Sequence, residues 1–238
     1  MKEWEQKITS ATKPYLFQNG TILTDLPVED LQVLNSGAKP ESGKRGDVLF
    51  RSGAFPKGVY WLISGKAKIY QETTAGQRQT LYIYSDGDLI GYRQFIAEVP
   101  NPVSAVLLED AQLKLIPGEM FRGLLNSSPF FTRNVLVALA REFSVWMNRM
   151  TVFTKSPVRQ RLILALLILY QQYRMSGSPP GDITMTRTEL AEYVGASLET
   201  VVRAMNSLKK NNLVQINGRH ILLPDPAGLL DVLQEDDY

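Results

Sequence analysis

The sequence predicts an α+β chain in three parts: an N-terminal β jelly roll, a long central helix and a C-terminal winged helix-turn-helix. Three observations predict it. Short apolar runs punctuated by glycines fill residues 43–117, and an apolar stripe with steps of three and four runs between residues 126 and 154. Met185 to Leu213 then reads as two short helices about a tight turn, with a hairpin signal directly behind. At 238 residues the chain suits two domains better than one.

Residues 1 to about 40 contain helical pieces, among them Leu26 to Leu31 with Pro27 near the start of a short helix. Six candidate strands follow: Asp47–Phe50, Gly58–Ile63, Lys66–Tyr70, Gln79–Tyr84, Ser104–Leu107 and Gln112–Ile116. Breaks at Gly46, Gly53, Gly65, Gly76, Gly87 and Gly91 space them at hairpin distances, as in a sandwich or jelly roll. Residues 1–127 are therefore expected to form one jelly-roll effector domain with its N-terminal helices. Such a barrel can hold a small ligand or be filled with side chains, so ligand binding does not follow from the fold.

Ser128-Pro129 supplies a cap and a first-turn proline for the longest helix, residues 128–155. Leu136, Leu139, Ala140, Phe143, Met147 and Met150 recur along it at helical spacing, a pattern suited to pairing with a second copy of the chain. Lys155-Ser156-Pro157 breaks this helix, and the C-terminal domain is expected over residues 156–238. It opens with a helix from Val158 to Tyr173, and Met175 to Gly181 reads as a surface loop.

In the helix-turn-helix, Thr188 is the expected cap of a first helix carrying Leu190, Ala191 and Val194. Gly195-Ala196-Ser197 breaks the run, and Ser197 caps a second helix packed through Val201, Ala204, Met205 and Leu208. The other face of that helix carries Glu199, Val202, Arg203, Asn206 and Lys210. A second helix of this kind enters the major groove of double-stranded DNA with its N-terminal residues at base edges. LVQINGRHILL then places Asn217-Gly218 at a hairpin tip of expected type I′, which makes the wing.

Composition excludes several classes. There is no cysteine, so disulfides, cysteine-ligated iron–sulfur clusters and thiol redox sensing are ruled out. The single histidine, His220, lies in the wing, which leaves no histidine for a metal enzyme of the cupin type inside the barrel. No catalytic residue, metal or cofactor is expected. The formal net charge is only +2, and the basic signal is local, at Arg187, Arg203, Lys209, Lys210 and Arg219. The N-terminus lacks an apolar signal core and the run Leu162–Tyr170 is too short to span a bilayer, so a cytoplasmic protein with no membrane partner is expected.

KRGDVLFRSGAFPKGVYWLISGKAKIY and GDLIGYRQF, followed by TRTELAEYVGASLETVVRAMNSLKKNNLV, resemble the Crp/Fnr superfamily of bacterial transcription regulators over nearly the full chain. The resemblance implies a cyclic-nucleotide-binding-like domain, a homodimer on a palindromic operator, and RNA polymerase as a further partner. It assigns base reading to Glu199 and Arg203, with Leu198 and Val202 in apolar contact with thymine methyl groups. Phosphate contacts fall to Arg187, Ser197 and Thr200, with Lys209, Lys210 and Arg219 beside them. Leu198 stands where cyclic-AMP members carry another base-reading Arg, which aligns this helix with the FNR-like branch and a TGA-like half-site.

The cyclic-AMP phosphate cassette is altered. Tyr92 stands at the ribose-binding Glu position and Val103 at the phosphate-binding Arg position. A buried phosphate without its cation costs several kcal/mol, so the effector is expected not to be cyclic AMP, or to be absent. The alternative is a cyclic-nucleotide-responsive regulator with a rearranged cassette, in which Tyr82, Tyr84, Tyr92, Arg93 and Ser104 line the effector pocket. Taken as strand neighbours, Tyr92 and Arg93 would face opposite ways. Trp146 and Met147 fall where family members reach the nucleotide base, and are expected to fill that space.

Overall fold

A computed structural model describes residues 3–175 and 182–235. The chain divides into two compact units, Gln18–Phe143 and Met1–Phe17 together with Ser144–Tyr238.

The first unit is the jelly roll. After α1 (Glu3–Thr12), which belongs to the other unit, the chain forms α2 (Val28–Gly37), β1 (Lys39–Gly43), β2 (Val48–Phe50), β3 (Gly58–Ser64), β4 (Ala67–Glu72), β5 (Arg78–Tyr84) and β6 (Leu89–Ile90). Next come α3 (Tyr92–Ala97), β7 (Ser104–Leu107), β8 (Ala111–Pro117), α4 (Gly118–Ser127) and α5 (Pro129–Lys155). The strands make two four-stranded antiparallel sheets, β1-β8-β3-β6 and β2-β7-β4-β5. All six strands read from the sequence are present. β1 was not read because KPESG is polar, exposed and contains Pro40, which an edge strand tolerates.

One end of the jelly roll is closed by helices. Phe95, Phe121 and Phe131 stack edge to face with centroids 5.7 and 5.2 Å apart, among Val59, Leu89, Leu124, Val135 and Ala138. Ser128 starts α5 as read, its Oγ accepting from the Phe131 N–H at 3.1 Å while also bonding Asp30.

The second unit holds α6 (Val158–Met175), β9 (Asp182–Thr184), α7 (Arg187–Val194), α8 (Leu198–Lys210), β10 (Gln215–Asn217), β11 (His220–Leu222) and α9 (Pro226–Glu235). Every residue of α6 from Leu162 to Tyr173 is buried. This explains the long apolar run: a helix apolar on all sides is enclosed on all sides. Part of the cover is α1, with Ile8 fully buried, Thr9 Oγ1 accepting from Gln171 Nε2 at 2.7 Å and Glu5 paired with Arg174 at 3.1 Å. The first helix therefore packs with the C-terminal unit rather than with residues 18–127, where the sequence suggested it. The second half of α5 joins the same unit. Met175, the first residue of the expected loop, ends α6, and the rest of that loop, residues 176–181, lies outside the described residues.

Candidate nucleic-acid interface

The turn forms as the sequence suggests, with one shift. Thr186, not Thr188, caps α7. Its Oγ1 accepts from the Glu189 N–H at 3.1 Å, and Glu189 Oε2 accepts from the Thr186 N–H at 2.8 Å, a complete capping box. Thr188 is exposed as the second residue of the helix. Replacing Thr186 with Ala should cost about 1 kcal/mol of stability. A lower melting temperature and faster hydrogen exchange across α7 would report it; unchanged exchange there would refute it.

Leu190, Ala191, Tyr193 and Val194 bury the inner face of α7, and Gly195 ends it in the left-handed region at φ 69°. Ser197 Oγ then accepts from the Thr200 N–H at 3.2 Å and starts α8. Val201, Met205 and Leu208 are buried against the unit. Leu198, Glu199 and Arg203 are exposed, with Val202 and Thr200 half-buried between them. Glu199 and Arg203 form no ion pair with each other among the described residues, although their spacing allows one. Both remain open to a ligand.

The expected phosphate contacts sit around this end and beyond it. The Ser197 and Thr200 hydroxyls bond each other at 2.8 Å. Lys209 and Lys210 are exposed in the last turn of α8, roughly three turns from the base-reading end. Arg187 is used differently. Its Nη2 donates to the Gly218 carbonyl at 3.1 Å and its Nη1 is buried, so it pins the wing tip to the start of α7. Burial lowers its pKa from the ordinary arginine value.

The wing is a three-stranded sheet in the order β10-β11-β9. Asn217 pairs with His220, so the two-residue loop is Gly218-Arg219, one residue later than expected. Gly218 has φ 58° and Arg219 does not share the positive φ, the type II′ pattern rather than type I′. Arg219 is exposed at the tip, and His220 Nδ1 lies 3.0 Å from the Asp182 carboxylate.

In the jelly-roll unit, four of the five candidate effector residues come together and are consumed by the protein itself. Gly91, at φ 90°, starts a helical turn, so Tyr92 and Arg93 are successive helix residues and not strand neighbours pointing apart. Both reach Glu142 of α5. Tyr92 donates through its hydroxyl to Glu142 Oε1 at 2.6 Å, and Arg93 Nε lies 3.5 Å from Glu142 Oε2. Asn19 Nδ2 donates to the same carboxylate at 3.0 Å. Arg93 Nη2 donates to Tyr84 Oη at 3.4 Å, and the Tyr82 ring meets Tyr84 edge on. Ser104 is occupied elsewhere, its Oγ accepting from the Ser52 N–H at 3.0 Å. Val103 is buried.

Charge is heavily perturbed in this cluster. Burial raises the Glu142 carboxyl above the usual carboxylate range, opposed by Arg93, Tyr92 and Asn19. At Arg93 burial acts the other way, but Tyr84, Glu142 and Tyr92 outweigh it and hold the guanidinium charged. Burial also raises the Tyr92 and Tyr84 hydroxyls. Nearby, burial pushes Asp88 up to about 7 against the Ser85, Asn19 and Gly20 N–H groups that favour its carboxylate.

The sequence reading missed Glu142, Asn19 and Asp88. The signal for Glu142 was present: Phe131, Val135, Ala138, Glu142, Val145 and Arg149 form the buried stripe of α5, with two charges in an otherwise apolar row. The stripe read as a dimer surface lies on the opposite face. Leu136, Ala140, Phe143, Met147 and Met150 are exposed there, whereas Leu139 packs half-buried on the jelly-roll core. Trp146 is half-buried and tilted against Phe17 in the second unit, and Met147 is exposed. The side chain that α5 sends into the jelly-roll cluster is Glu142, not these two.

A jelly roll joined to a winged helix-turn-helix defines a class of DNA-binding regulators, and the comparisons agree. Residues 40–128 match the cyclic nucleotide-binding domain and residues 160–232 the Crp-like helix-turn-helix domain. The chain is 28% identical over 207 residues to the transcriptional activator protein Anr of Pseudomonas protegens, covering 86% of this chain and 84% of that one. It is 25% identical over 191 residues to an anaerobic regulatory protein of Haemophilus influenzae, covering 79% and 74%. A Crp/Fnr-family regulator from Eubacterium rectale shares the fold with a TM-score of 0.72 at 19% identity, covering 90% of this chain and 97% of that one. The chain belongs to the Crp/Fnr superfamily of transcription regulators. No helix among the described residues is long and apolar enough to cross a membrane.

Proposed function

We propose that the chain acts as a homodimer that reads a palindromic operator through the first turns of α8 and does so without cyclic AMP. The observation that carries the reading is that Glu199 and Arg203 stand four residues apart, both exposed and with no ion pair between them, at the Ser197-capped end of α8. Arg203 donates two hydrogen bonds to guanine O6 and N7, Glu199 accepts from cytosine N4, and Leu198 and Val202 meet thymine methyl groups. Ser197 and Thr200 hold phosphates near that end, Arg219 holds one from the tip of the wing, and Lys209 and Lys210 hold those farther along α8. Arg187 contributes by placing the wing. RNA polymerase is the further partner, and the setting is the cytoplasm.

Support for dimerisation is the heptad-like exposed stripe of α5, since one operator half gives a single module little affinity. Half-site centres are then about 34 Å apart. Support for the absence of cyclic AMP is chemical. Arg93, a cation adjacent to the altered cassette, already faces the Glu142 carboxylate, and Val103 offers none. The rearranged-cassette alternative requires a cyclic phosphate to displace Glu142 from Arg93.

Selection from randomised duplexes tests the readout. The wild type should enrich a two-fold symmetric sequence with a TGA-like core in each half. Arg203→Ala should lose about 1–3 kcal/mol and relax its choice at one base pair per half. Undiminished discrimination by this variant would remove the assignment. Lys210→Ala should instead weaken all duplexes alike and reduce the salt slope by about 1, measured by anisotropy from 50 to 200 mM salt. Calorimetry with cyclic AMP and cyclic GMP tests the effector, and micromolar heats would favour the alternative.

A further inference from the structure

The last turn of α5 and the last turn of α7 both end on the same arginine. Arg161, in the first turn of α6, donates through Nη1 to the carbonyls of Phe153, Val194 and Gly195 at 3.3, 3.2 and 3.1 Å. Phe153 belongs to the final turn of α5; Val194 and Gly195 close α7 at the turn of the helix-turn-helix. Carbonyls at helix C-termini have no partner within their own helix and carry partial negative charge. One cation thus satisfies two helix ends at once.

A second arginine repeats the connection one turn back. Arg149 is 3% exposed on α5, and its Nη1 donates to the Tyr193 hydroxyl oxygen at 3.0 Å. Its guanidinium lies over the Tyr193 and Phe153 rings at 5.0 and 5.4 Å, and those rings meet at 88°. Both arginines act on the C-terminal end of α7, and α8 starts two residues beyond, at the Ser197 cap. The direction in which α8 leaves the turn is therefore fixed against the axis of α5 by four side chains, Arg149, Phe153, Arg161 and Tyr193. None of them is on the exposed face of α8.

We propose that Arg161 and Arg149 are positioning residues that set the spacing between operator half-sites. The inference rests on the homodimer reading. If α5 carries the two-fold contact, the angle from α5 to α8 in each copy decides how far apart the two recognition helices lie. Loosening that angle lets the dimer accept several spacings, while each α8 reads its own half-site as before.

The test uses the full chain with Arg161→Gln and, separately, the milder Arg149→Lys. Affinities are measured for a single half-site, a scrambled half-site, and palindromes whose centre is lengthened or shortened by one and two base pairs. The wild type is expected to prefer one spacing at least tenfold over its neighbours. Each variant should lose most of that preference, while its ratio of true to scrambled half-site stays within twofold of wild type. A merely structural lesion would lower that ratio and leave the spacing optimum in place, and that result overturns the inference. So does an Arg149→Lys variant, whether or not Arg161→Gln folds, that keeps the wild-type spacing preference. A wild type that binds no palindrome better than a half-site overturns the homodimer reading and this inference together.

Discussion

Replacing Phe143 with Glu is expected to convert the protein to a monomer and to lower affinity for a palindromic duplex by about 100-fold or more. Phe143 is 66% exposed at the middle of the stripe formed by Leu136, Ala140, Met147 and Met150. In the proposed homodimer a two-fold axis along α5 brings each residue of the stripe near its own equivalent. Glutamate at such a seam places two carboxylates together in an apolar contact. Burying a charge without a partner costs about 3 kcal/mol or more, and every 1.4 kcal/mol is tenfold in affinity. Because the Phe143 ring stands outside the core of its own chain, the variant should melt as a folded protein and keep its half-site affinity. Phe143→Leu, apolar and smaller, should remain dimeric. Light scattering at micromolar concentration reads both outcomes, and a dimeric Phe143→Glu would exclude α5 as the contact.

The stripe also shows why part of the site was legible in the sequence and part was not. Local chemistry carried the helix-turn-helix: Gly195 needs the left-handed region, Ser197 is a cap, and Val201, Met205 and Leu208 have a helical period. The same kind of signal located six strands and their glycine turns. Errors of one or two residues arose where two caps competed, as Thr186 did with Thr188, or where pairing chose the hairpin tip, as at Gly218-Arg219. What local pattern could not reach were partners far apart in the chain. Asn19 and Glu142 are 123 residues apart, and nothing within either neighbourhood announces the other. The N-terminal helix gave no sign of its destination, because the apolar surface it covers on α6 is read only once α6 is seen to be buried all round. Two departures from period were informative: Glu142 and Arg149 interrupt the buried row of α5, and each anchors that helix within a different unit.

Removing the first of these anchors should have the largest effect on stability. Glu142→Ala leaves the Tyr92 hydroxyl, Asn19 Nδ2 and the Arg93 guanidinium without their shared acceptor in a site where Glu142 itself is 1% exposed. Breaking a buried pair from one side costs about 3–5 kcal/mol, most of it from the cation left behind. Glu142→Gln keeps one acceptor oxygen and should lose less. The same cluster sets a pH dependence whose sign follows from Asp88. Folded, Asp88 holds its proton up to about pH 7; unfolded, a free aspartate releases it near pH 4. Between about pH 4 and 7 the folded state therefore binds more protons, so this group's contribution to stability falls as pH rises and is fully lost above about 7. The raised Glu142 carboxyl acts in the same direction. The charge on Glu142 is one of the causes that raise Asp88, so Glu142→Gln should also flatten the decline. Calorimetric melting at pH 5, 6, 7 and 8 separates the effects: a lower midpoint at every pH reports the lost contacts, and a shallower slope reports the lost charge. A wild-type midpoint that rises from pH 5 to 8, with a slope unaltered in Glu142→Gln, would mean that this cluster does not govern the pH response of the jelly roll.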